Sequence, residues 1–274
     1  MKIDLHNHLL IGFQPEWLRL QGYKNHNLAK ILADSAMEKD IRLVAIISEN
    51  FEIPLSSIHD RFTRICEDAE KINEPSYAIK KIGKNTLKIN TVYIVNGQTV
   101  IVNENGRRYD HLVIGSNQVP NNCSFDYTLN YCADEELLNF LEHPAVENHF
   151  GTGIHSAERL IGKYGQLITG VEGHNGSLIW NPNLNQKAKE LATRLGIPHI
   201  ATSDAHSPNQ TGAATIETED NPQFSSEIGL FSYLNRVIKE KKYICNEGYV
   251  STSSWIINAA RFAIGTKVFG IGKR

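Results

Sequence analysis

The stretch IRLVAIIS, residues 41–48, is a nearly continuous run of apolar and β-branched side chains. Such a run is typical of a strand that is buried on both faces, as in a parallel sheet. On either side of it, residues 27–39 and residues 57–73 carry apolar side chains at helical spacing. A buried strand between two helices predicts one unit of an α/β fold.

The rest of the chain continues this alternation. We predict strands at 1–5, 167–172 and 197–204, and helices at 133–143, 156–165, 185–196, 225–241 and 253–264. Pro144 is expected to end the first of these helices, and Ser156 is the expected N-cap of the second. Alternating strands and helices over most of the chain predict a largely parallel sheet or barrel.

Residues 86–116 have a different pattern, rich in Val, Ile, Thr and Tyr. The pairs Asn96-Gly97 and Asn105-Gly106 favour hairpin turns, so this block predicts an antiparallel insertion in the parallel sheet. We expect a single domain over residues 1–274. Residues 221–274 either complete the barrel, cap its mouth or form a dimer contact.

Composition excludes several classes of protein. The chain has 274 residues, with 28 Lys and Arg against 30 Asp and Glu, and this net charge of −2 disfavours a nucleic-acid partner. A membrane partner is not expected, because no apolar run is long enough to cross a bilayer, and the opening MKIDLHNHLL is too polar for a signal peptide. The four cysteines form no CxxC pair. We therefore expect a reduced, cytoplasmic protein. The sequence does not determine its oligomeric state.

The placement of the histidines points to chemistry. Asp4, His6 and His8 alternate at the end of the first strand, so their side chains share one face, and Asp204 and His206 do the same after a late strand. Two imidazoles at a strand end can bind a divalent ion, and the neighbouring Asp4 is expected to orient one of them. The alternative is a pair of surface histidines near a terminus.

Two further groups have the same character. Glu172 ends the predicted strand 167–172, and His143 precedes Pro144 at the end of a predicted helix, where it is either a ligand or a helix cap. Acidic and imidazole groups at the carboxyl ends of separate strands fit the way in which barrel enzymes assemble their sites.

These motifs resemble those of a known superfamily. DLHNHL (4–9) is similar to the first motif of the polymerase and histidinol phosphatase (PHP) superfamily, and TSDAHS (202–207) resembles its late motif. Between them LVAIISEN (43–50), IVNGQTV (94–100), EHP (142–144) and VEGHNG (171–176) follow in the family's order. The resemblance spans about residues 1–210.

The resemblance implies a distorted seven-stranded β/α barrel, with the hairpin block as an insertion. It also implies a cluster of divalent ions at the strand ends, of which we expect one to three. Nitrogen and carboxylate ligands suit Zn²⁺, Mn²⁺ or Fe²⁺. Asp204 and His206 are expected to take part in catalysis as well as in metal binding. The expected ligands are His6, His8, Glu49, His143, Glu172, Asp204 and His206.

The middle motifs depart from the family pattern. Ser48-Glu49-Asn50 stands where Thr-Asp-His is expected, and Gln98 or Thr99 stands where a bridging glutamate is expected. A neutral oxygen cannot supply the charge of a carboxylate between two cations.

Three functions therefore compete. The first is hydrolysis of a small phosphorylated metabolite or nucleotide by a metal-activated water. The second is a PHP-like binding or regulatory protein that has lost catalysis. The third is an amidohydrolase-type metal hydrolase, which also has an HxH motif after its first strand.

Overall fold

Eleven strands form one sheet in the computed structural model, which describes residues 1–10, 15–49, 60–147 and 151–269. The strands are β1 (Lys2–Asn7), β2 (Ile41–Ser48), β3 (Ile79–Lys81), β4 (Thr86–Ile89), β5 (Val92–Glu104), β6 (Arg107–Ile114), β7 (Leu138–Leu141), β8 (Gly170–Asn175), β9 (His199–Thr202), β10 (Thr215–Glu217) and β11 (Ile244–Asn246). Their order in the sheet is β11-β10-β1-β2-β5-β6-β7-β8-β9, with β3 and β4 attached to β5.

The sheet nearly closes on itself between its first and last parallel strands. After β9 the chain returns to β1, where the Asp204 amide donates to the carbonyl of His6 and the His8 amide donates to the carbonyl of Ala205, each at 2.8 Å. The predicted β/α barrel is thus confirmed. Its strand count of seven is wrong, because antiparallel strands extend the sheet at β3, β4, β10 and β11.

The antiparallel insertion predicted for residues 86–116 is present as β4, β5 and β6. Asn105 and Gly106 form the turn between β5 and β6 with φ of +53° and +78°. The turn predicted at Asn96-Gly97 is wrong, because β5 runs straight through it. Gly97 is required there for close packing, since a Cβ would lie 2.9 Å from the Val113 carbonyl oxygen on β6.

Eight α-helices, together with a short 3-10 helix (Pro208–Gln210), are present among the described residues. The α-helices are α1 (Pro15–Gln21), α2 (Leu28–Glu38), α3 (Arg61–Ala69), α4 (Phe125–Asp134), α5 (Ile154–Tyr164), α6 (Asn183–Leu195), α7 (Glu227–Lys239) and α8 (Thr252–Phe269). None of these helices combines the length and the apolar character that a bilayer span requires.

The helix predicted at 133–143 is wrong. Helix α4 ends at Asp134, and the buried residues 138–141 form strand β7 between β6 and β8. A short apolar run fits a buried strand as well as a helix, and pairing with two neighbouring strands decides the outcome. The predicted N-cap of the next helix is also wrong, because α5 begins after Gly153 rather than at Ser156.

Strand β2 is buried on both faces, as its sequence predicts. Leu43, Ala45 and Ile47 belong to one core cluster together with residues of α7, whereas Val44 and Ile46 belong to a second cluster that packs against α2 and α3. A third cluster lies under α4, α5 and α6. The helices therefore fix the positions of the parallel strands, whose carboxyl ends carry the candidate site.

Candidate metal centre

The carboxyl ends of five strands bring the predicted site residues together. His6 and His8 lie at the end of β1, and Glu49 follows β2. The other members are His143 after β7, Glu172 within β8, and Asp204 and His206 after β9. Strands that are far apart in sequence thus contribute to one cluster, as the parallel topology requires.

Three side chains form the centre of this cluster. The Nε2 atoms of His6 and His8 are 3.1 Å apart, and Asp204 Oδ1 lies 3.5 Å from the first and 3.4 Å from the second. All three residues are buried. Ligand atoms of the three lie within 4.8 Å of one another, a spacing at which one ion can contact all of them.

A second group shares His8 with the first. Glu49 Oε1 lies 3.3 Å from His8 Nδ1 and 3.9 Å from His206 Nε2. Asp204 connects the two groups, because its Oδ1 is also 3.6 Å from His206 Nδ1. The arrangement therefore offers two adjacent positions for a cation, each with imidazole and carboxylate ligands.

Four imidazole rings of the cluster share one orientation, in which Nδ1 faces a protein acceptor. The contacts are His6 to Glu172 Oε1 at 2.9 Å, His8 to Ile47 O at 3.0 Å, His143 to Glu172 Oε2 at 2.6 Å and His206 to Asp204 O at 2.9 Å. An Nδ1–H that donates to such an acceptor leaves the Nε2 lone pair free. This is the usual way in which a protein orients histidine ligands of a metal.

The close approach of His6 and His8 fits a shared cation. Two Nε2 lone pairs at 3.1 Å repel each other unless a positive charge lies near both. Without a metal ion, a proton supplies that charge. Burial opposes a charged ring at His6, but Asp204, Glu142 and Glu172 outweigh it and raise the pKa of His6 well above its ordinary value. Burial lowers the pKa of His8 to about 4, so this neighbour stays neutral.

Glu172 holds two of the rings in place. It is fully buried and contacts His6 with one oxygen and His143 with the other, and it also accepts from the Thr202 hydroxyl. Although burial disfavours the carboxylate, the two histidines hold the pKa of Glu172 well below its ordinary range. Glu172 and His143 lie outside both ligand groups described above, so their direct ligation of a metal remains a prediction.

Glu142 is a member of the cluster that the sequence analysis missed. Its Oε1 lies 3.3 Å from His143 Nε2 and 3.8 Å from His6 Nε2, and the buried Oε2 has no hydrogen-bond partner among the described residues. Burial raises the pKa of Glu142 to about 8. An orphaned carboxylate oxygen beside two imidazoles is a feature that a metal ion would explain. The available signal was the position of Glu142 directly after a buried strand and before His143.

The positions of the missing bridging glutamate contribute no charge. The Gln98 side chain accepts from the Val119 amide at 3.1 Å and donates to its carbonyl at 3.0 Å, and Thr99 Oγ1 is buried without a partner among the described residues. Asn50 lies outside the described residues.

Asp4 does not orient an imidazole ring, contrary to expectation. It is fully buried and accepts from the Ser203 hydroxyl, the Gly212 amide and the Asn7 amide group. Burial nevertheless raises its pKa. Its contacts join β1 to the segment after β9, while Glu172 and the Ile47 carbonyl orient the rings.

Strained backbone supports several of the site residues. Asp204 and His143 have φ of +48° and +45°, and Leu9, next to His8, has φ of +59°. Non-glycine residues rarely adopt this left-handed region, and such strain concentrates at functional sites.

Solved structures share this fold at low sequence identity. PsfC from Pseudomonas syringae has a TM-score of 0.59 at 14% identity, with 96% of this chain and 98% of that chain covered. A two-domain protein from Bacteroides vulgatus, described as containing a predicted PHP-like metal-dependent phosphoesterase, has a TM-score of 0.54 at 15% identity over 90% and 65% of the two chains. The lesion-specific endonuclease PfuEndoQ from Pyrococcus furiosus has a TM-score of 0.51 at 17% identity over 87% and 56%.

The chain thus combines a barrel fold, shared with a PHP-like protein, with imidazole and carboxylate side chains at its strand ends. Residues 182–232, which include α6 and β9, match the PHP-associated family model PHP_C. This match and the shared fold support the resemblance to the PHP superfamily that the first and late motifs indicate. No curated protein sequence matches the chain.

Proposed function

We propose that the chain is a metal-dependent hydrolase that cleaves phosphate esters of small molecules. The observation that carries this proposal is the convergence of His6, His8 and Asp204 with Glu49 and His206 at one end of the barrel. The first motif (4–9) and the late motif (202–207) thus contribute side chains to one cluster. Their nitrogen and carboxylate donors suit Zn²⁺, Mn²⁺ or Fe²⁺.

The donor set fits divalent ions on the chemistry of its own atoms. His6, His8 and Asp204 would hold one ion, and Glu49 and His206 would contribute to a second, adjacent position. Glu142 adds a carboxylate with an oxygen that has no partner among the described residues. An ion held there would supply a Lewis acid for the phosphoryl oxygens and would make water a better nucleophile.

The residues of the chain take distinct roles around the substrate. Glu172 fixes the tautomer and the direction of His6 and His143. Asp204, within 3.6 Å of three imidazoles, orients the attacking water as a general base. The His206 side chain is 30% exposed, more than any other in the two ligand groups, so it lies where a leaving oxygen can receive a proton.

Two neighbouring structures support a phosphoester substrate. One contains a predicted PHP-like metal-dependent phosphoesterase, and the other is an endonuclease, of which this chain covers about half. A net charge of −2 gives the whole chain no excess of cationic groups for a nucleic-acid backbone. We therefore infer a small phosphorylated substrate rather than duplex DNA.

The test combines metal analysis with turnover. The purified chain should contain at least one equivalent of a divalent transition metal and should hydrolyse p-nitrophenyl phosphate with added Mn²⁺ or Zn²⁺. Asp204→Asn should reduce kcat by at least about 100-fold, because general-base assistance contributes roughly 10²–10⁴-fold. The matched control is His26→Asn, which changes an exposed histidine outside the cluster.

The other outcomes distinguish the alternatives. Bound metal without turnover of any phosphoester would support a binding protein that has lost catalysis. Hydrolysis of amides without hydrolysis of phosphate esters would support an amidohydrolase. Absence of both metal and turnover would overturn the proposal.

A further inference from the structure

A cavity separate from the metal centre lies beside the residues that follow β7. Its volume is about 400 Å³. The lining residues come from the start of β6, the loop after His143 and the first turn of α5; they are Arg107, Arg108, Tyr109, Glu147, Gly151, Thr152, Gly153, His155 and Ser156. None of them belongs to the metal centre.

The amino terminus of α5 opens into this cavity without a side-chain cap. Gly153 is the N-cap residue, and the helix of 11 residues makes its first backbone bond from Ala157 to Gly153. The amides of Ile154, His155 and Ser156 precede that bond and have no acceptor among the described residues. Free N–H groups and the positive end of the helix dipole favour an anion at this position.

Two buried hydroxyl groups independently indicate a missing ligand. Thr152 and Tyr109 line the cavity and are 4% and 3% exposed, and neither hydroxyl has a hydrogen-bond partner among the described residues. A buried hydroxyl without a partner costs about 1–3 kcal/mol, so such groups normally have one. A ligand with several acceptor oxygens would satisfy both hydroxyls together with the helix amides.

The charges around the cavity favour an anion as that ligand. Arg107 and Arg108 line it, and neither has an ion-pair partner in the part of the chain that the structure describes. Glu147 is the opposing charge in the lining, and its side chain is close to Gly153, where a Cβ would lie 3.3 Å from Glu147 Cγ. The positive charge of two guanidinium groups and a helix amino terminus exceeds the negative charge of this single carboxylate.

We propose that this cavity binds the phosphate group of a small phosphorylated molecule. A tetrahedral phosphate has enough oxygens for the helix amides, the hydroxyls of Thr152 and Tyr109 and an arginine fork. The volume exceeds what one phosphate ion requires and lies in the range of small-ligand sites, roughly 300–1,000 Å³. The bound molecule is therefore a phosphate monoester rather than free phosphate.

The site shares a loop with the metal centre. Gly151, in the lining of the cavity, packs so closely on the residues after β7 that a Cβ would lie 2.5 Å from the His143 carbonyl oxygen. A phosphate ester bound in the cavity thus lies near the backbone of His143, whose imidazole Glu172 orients. Binding itself does not depend on the proposed hydrolysis.

Titration calorimetry on the full chain, stripped of metal with a chelator, tests the proposal. Phenyl phosphate and inorganic phosphate are the two probes. Phenyl phosphate should bind and should displace inorganic phosphate from the same site. The double variant Arg107→Gln/Arg108→Gln should weaken binding of phenyl phosphate at least about 10-fold, and Thr152→Val should weaken it about 5–10-fold, since each removes donors to a charged group. Glu147→Gln should strengthen binding about 3-fold by removing a like charge.

The control is Lys242→Gln, which removes an exposed cation far along the chain and should leave both affinities unchanged. Unaltered affinity in the arginine double variant would place the phosphate elsewhere, for instance at the imidazole cluster, and would overturn the proposal. Binding of inorganic phosphate without phenyl phosphate would overturn the assignment to a monoester. Because the assay measures binding to metal-free protein, a failure of catalysis leaves its result intact.

Discussion

Two sides of the barrel mouth differ in how they supply charge. The motif side comprises the ends of β1, β2 and β9, with His6, His8, Glu49, Asp204 and His206. The hairpin side comprises the middle of β5, with Gln98 and Thr99, and the residues after β7, Glu142 and His143. On the motif side every named residue is an imidazole or a carboxylate, whereas on the hairpin side two of the four are neutral.

The hairpin side nevertheless offers a carboxylate, from a different strand. The amide of Gln98 on β5 is fully used by the backbone of Val119, while Glu142, after β7, brings its Oε1 to 3.8 Å from His6 Nε2. A carboxylate thus lies near the imidazoles, although it follows β7 rather than belonging to β5. We interpret Glu142 as the functional counterpart of the bridging glutamate that Gln98 and Thr99 cannot replace.

The largest expected effect is that of removing His6, the central proposed ligand of the motif side. His6→Ala should weaken binding of Mn²⁺ or Zn²⁺ more than 100-fold, beyond the roughly 10–100-fold typical of residues that orient a ligand. Equilibrium dialysis with elemental analysis measures the affinity, and circular dichroism checks that the variant folds. His26→Ala is the control at an exposed histidine. Metal affinity equal to that of the wild type would show that the motif side does not hold the ion.

Glu142→Gln tests the hairpin side and should have a smaller effect on metal affinity, about 10–100-fold. The side chain keeps its shape and loses its charge, so the change isolates the carboxylate. Dialysis against the same metals measures the loss. An unchanged affinity would restrict the metal centre to the motif side and would end the interpretation of Glu142 as a counterpart of the bridging glutamate.

The same variant should stabilise the metal-free protein. Its effect on stability is therefore favourable, whereas its effect on metal affinity is unfavourable. The pKa of Glu142 is raised to about 8 by burial, so the folded chain binds a proton that the unfolded chain releases near pH 4.5. Wild-type stability is therefore lost as pH rises from 4.5 through 8, and Glu142→Gln lacks this loss. The difference in unfolding free energy should grow across that range to about 2–3 kcal/mol at pH 7, measured by urea denaturation at several pH values. A constant difference would contradict the assigned titration.

These two sides also differ in how far the sequence predicts them. The motif side was predictable because β1 and β9 are followed by polar residues at alternate positions, and parallel strands place their carboxyl ends together. The apolar run at residues 41–48 likewise predicted strand β2. On this side local pattern and tertiary structure agree.

The hairpin side was less predictable for identifiable reasons. Residues 138–141 are apolar enough for a helix or a strand, and the pairing of β7 with β6 and β8, which no local pattern encodes, decides between them. The assignment of a helix hid the position of Glu142 at a strand end. Asn96-Gly97 has the composition of a turn but is needed in β5 for close packing against Val113.

Gln98→Leu tests whether Gln98 is structural. Leucine cannot pair with the Val119 amide and carbonyl, and one buried backbone group without a partner costs about 1–3 kcal/mol. We therefore expect a loss of about 2 kcal/mol in the free energy of unfolding, measured by urea denaturation, and unchanged metal affinity. A fall in metal affinity without a loss of stability would instead make Gln98 a ligand.

Thr99→Val should have the smallest effect of the series and the opposite sign. Thr99 is 2% exposed, and its hydroxyl has no partner among the described residues, so an isosteric methyl group removes an unsatisfied polar atom without opening a cavity. The free energy of unfolding should rise by up to about 1 kcal/mol, with metal content and turnover unchanged, as thermal denaturation and elemental analysis can show. Destabilisation together with loss of metal would mean that the hydroxyl contacts an ion or an ordered water. In that case the hairpin side would supply a neutral oxygen to the metal centre, and the contrast with the motif side would be one of charge alone.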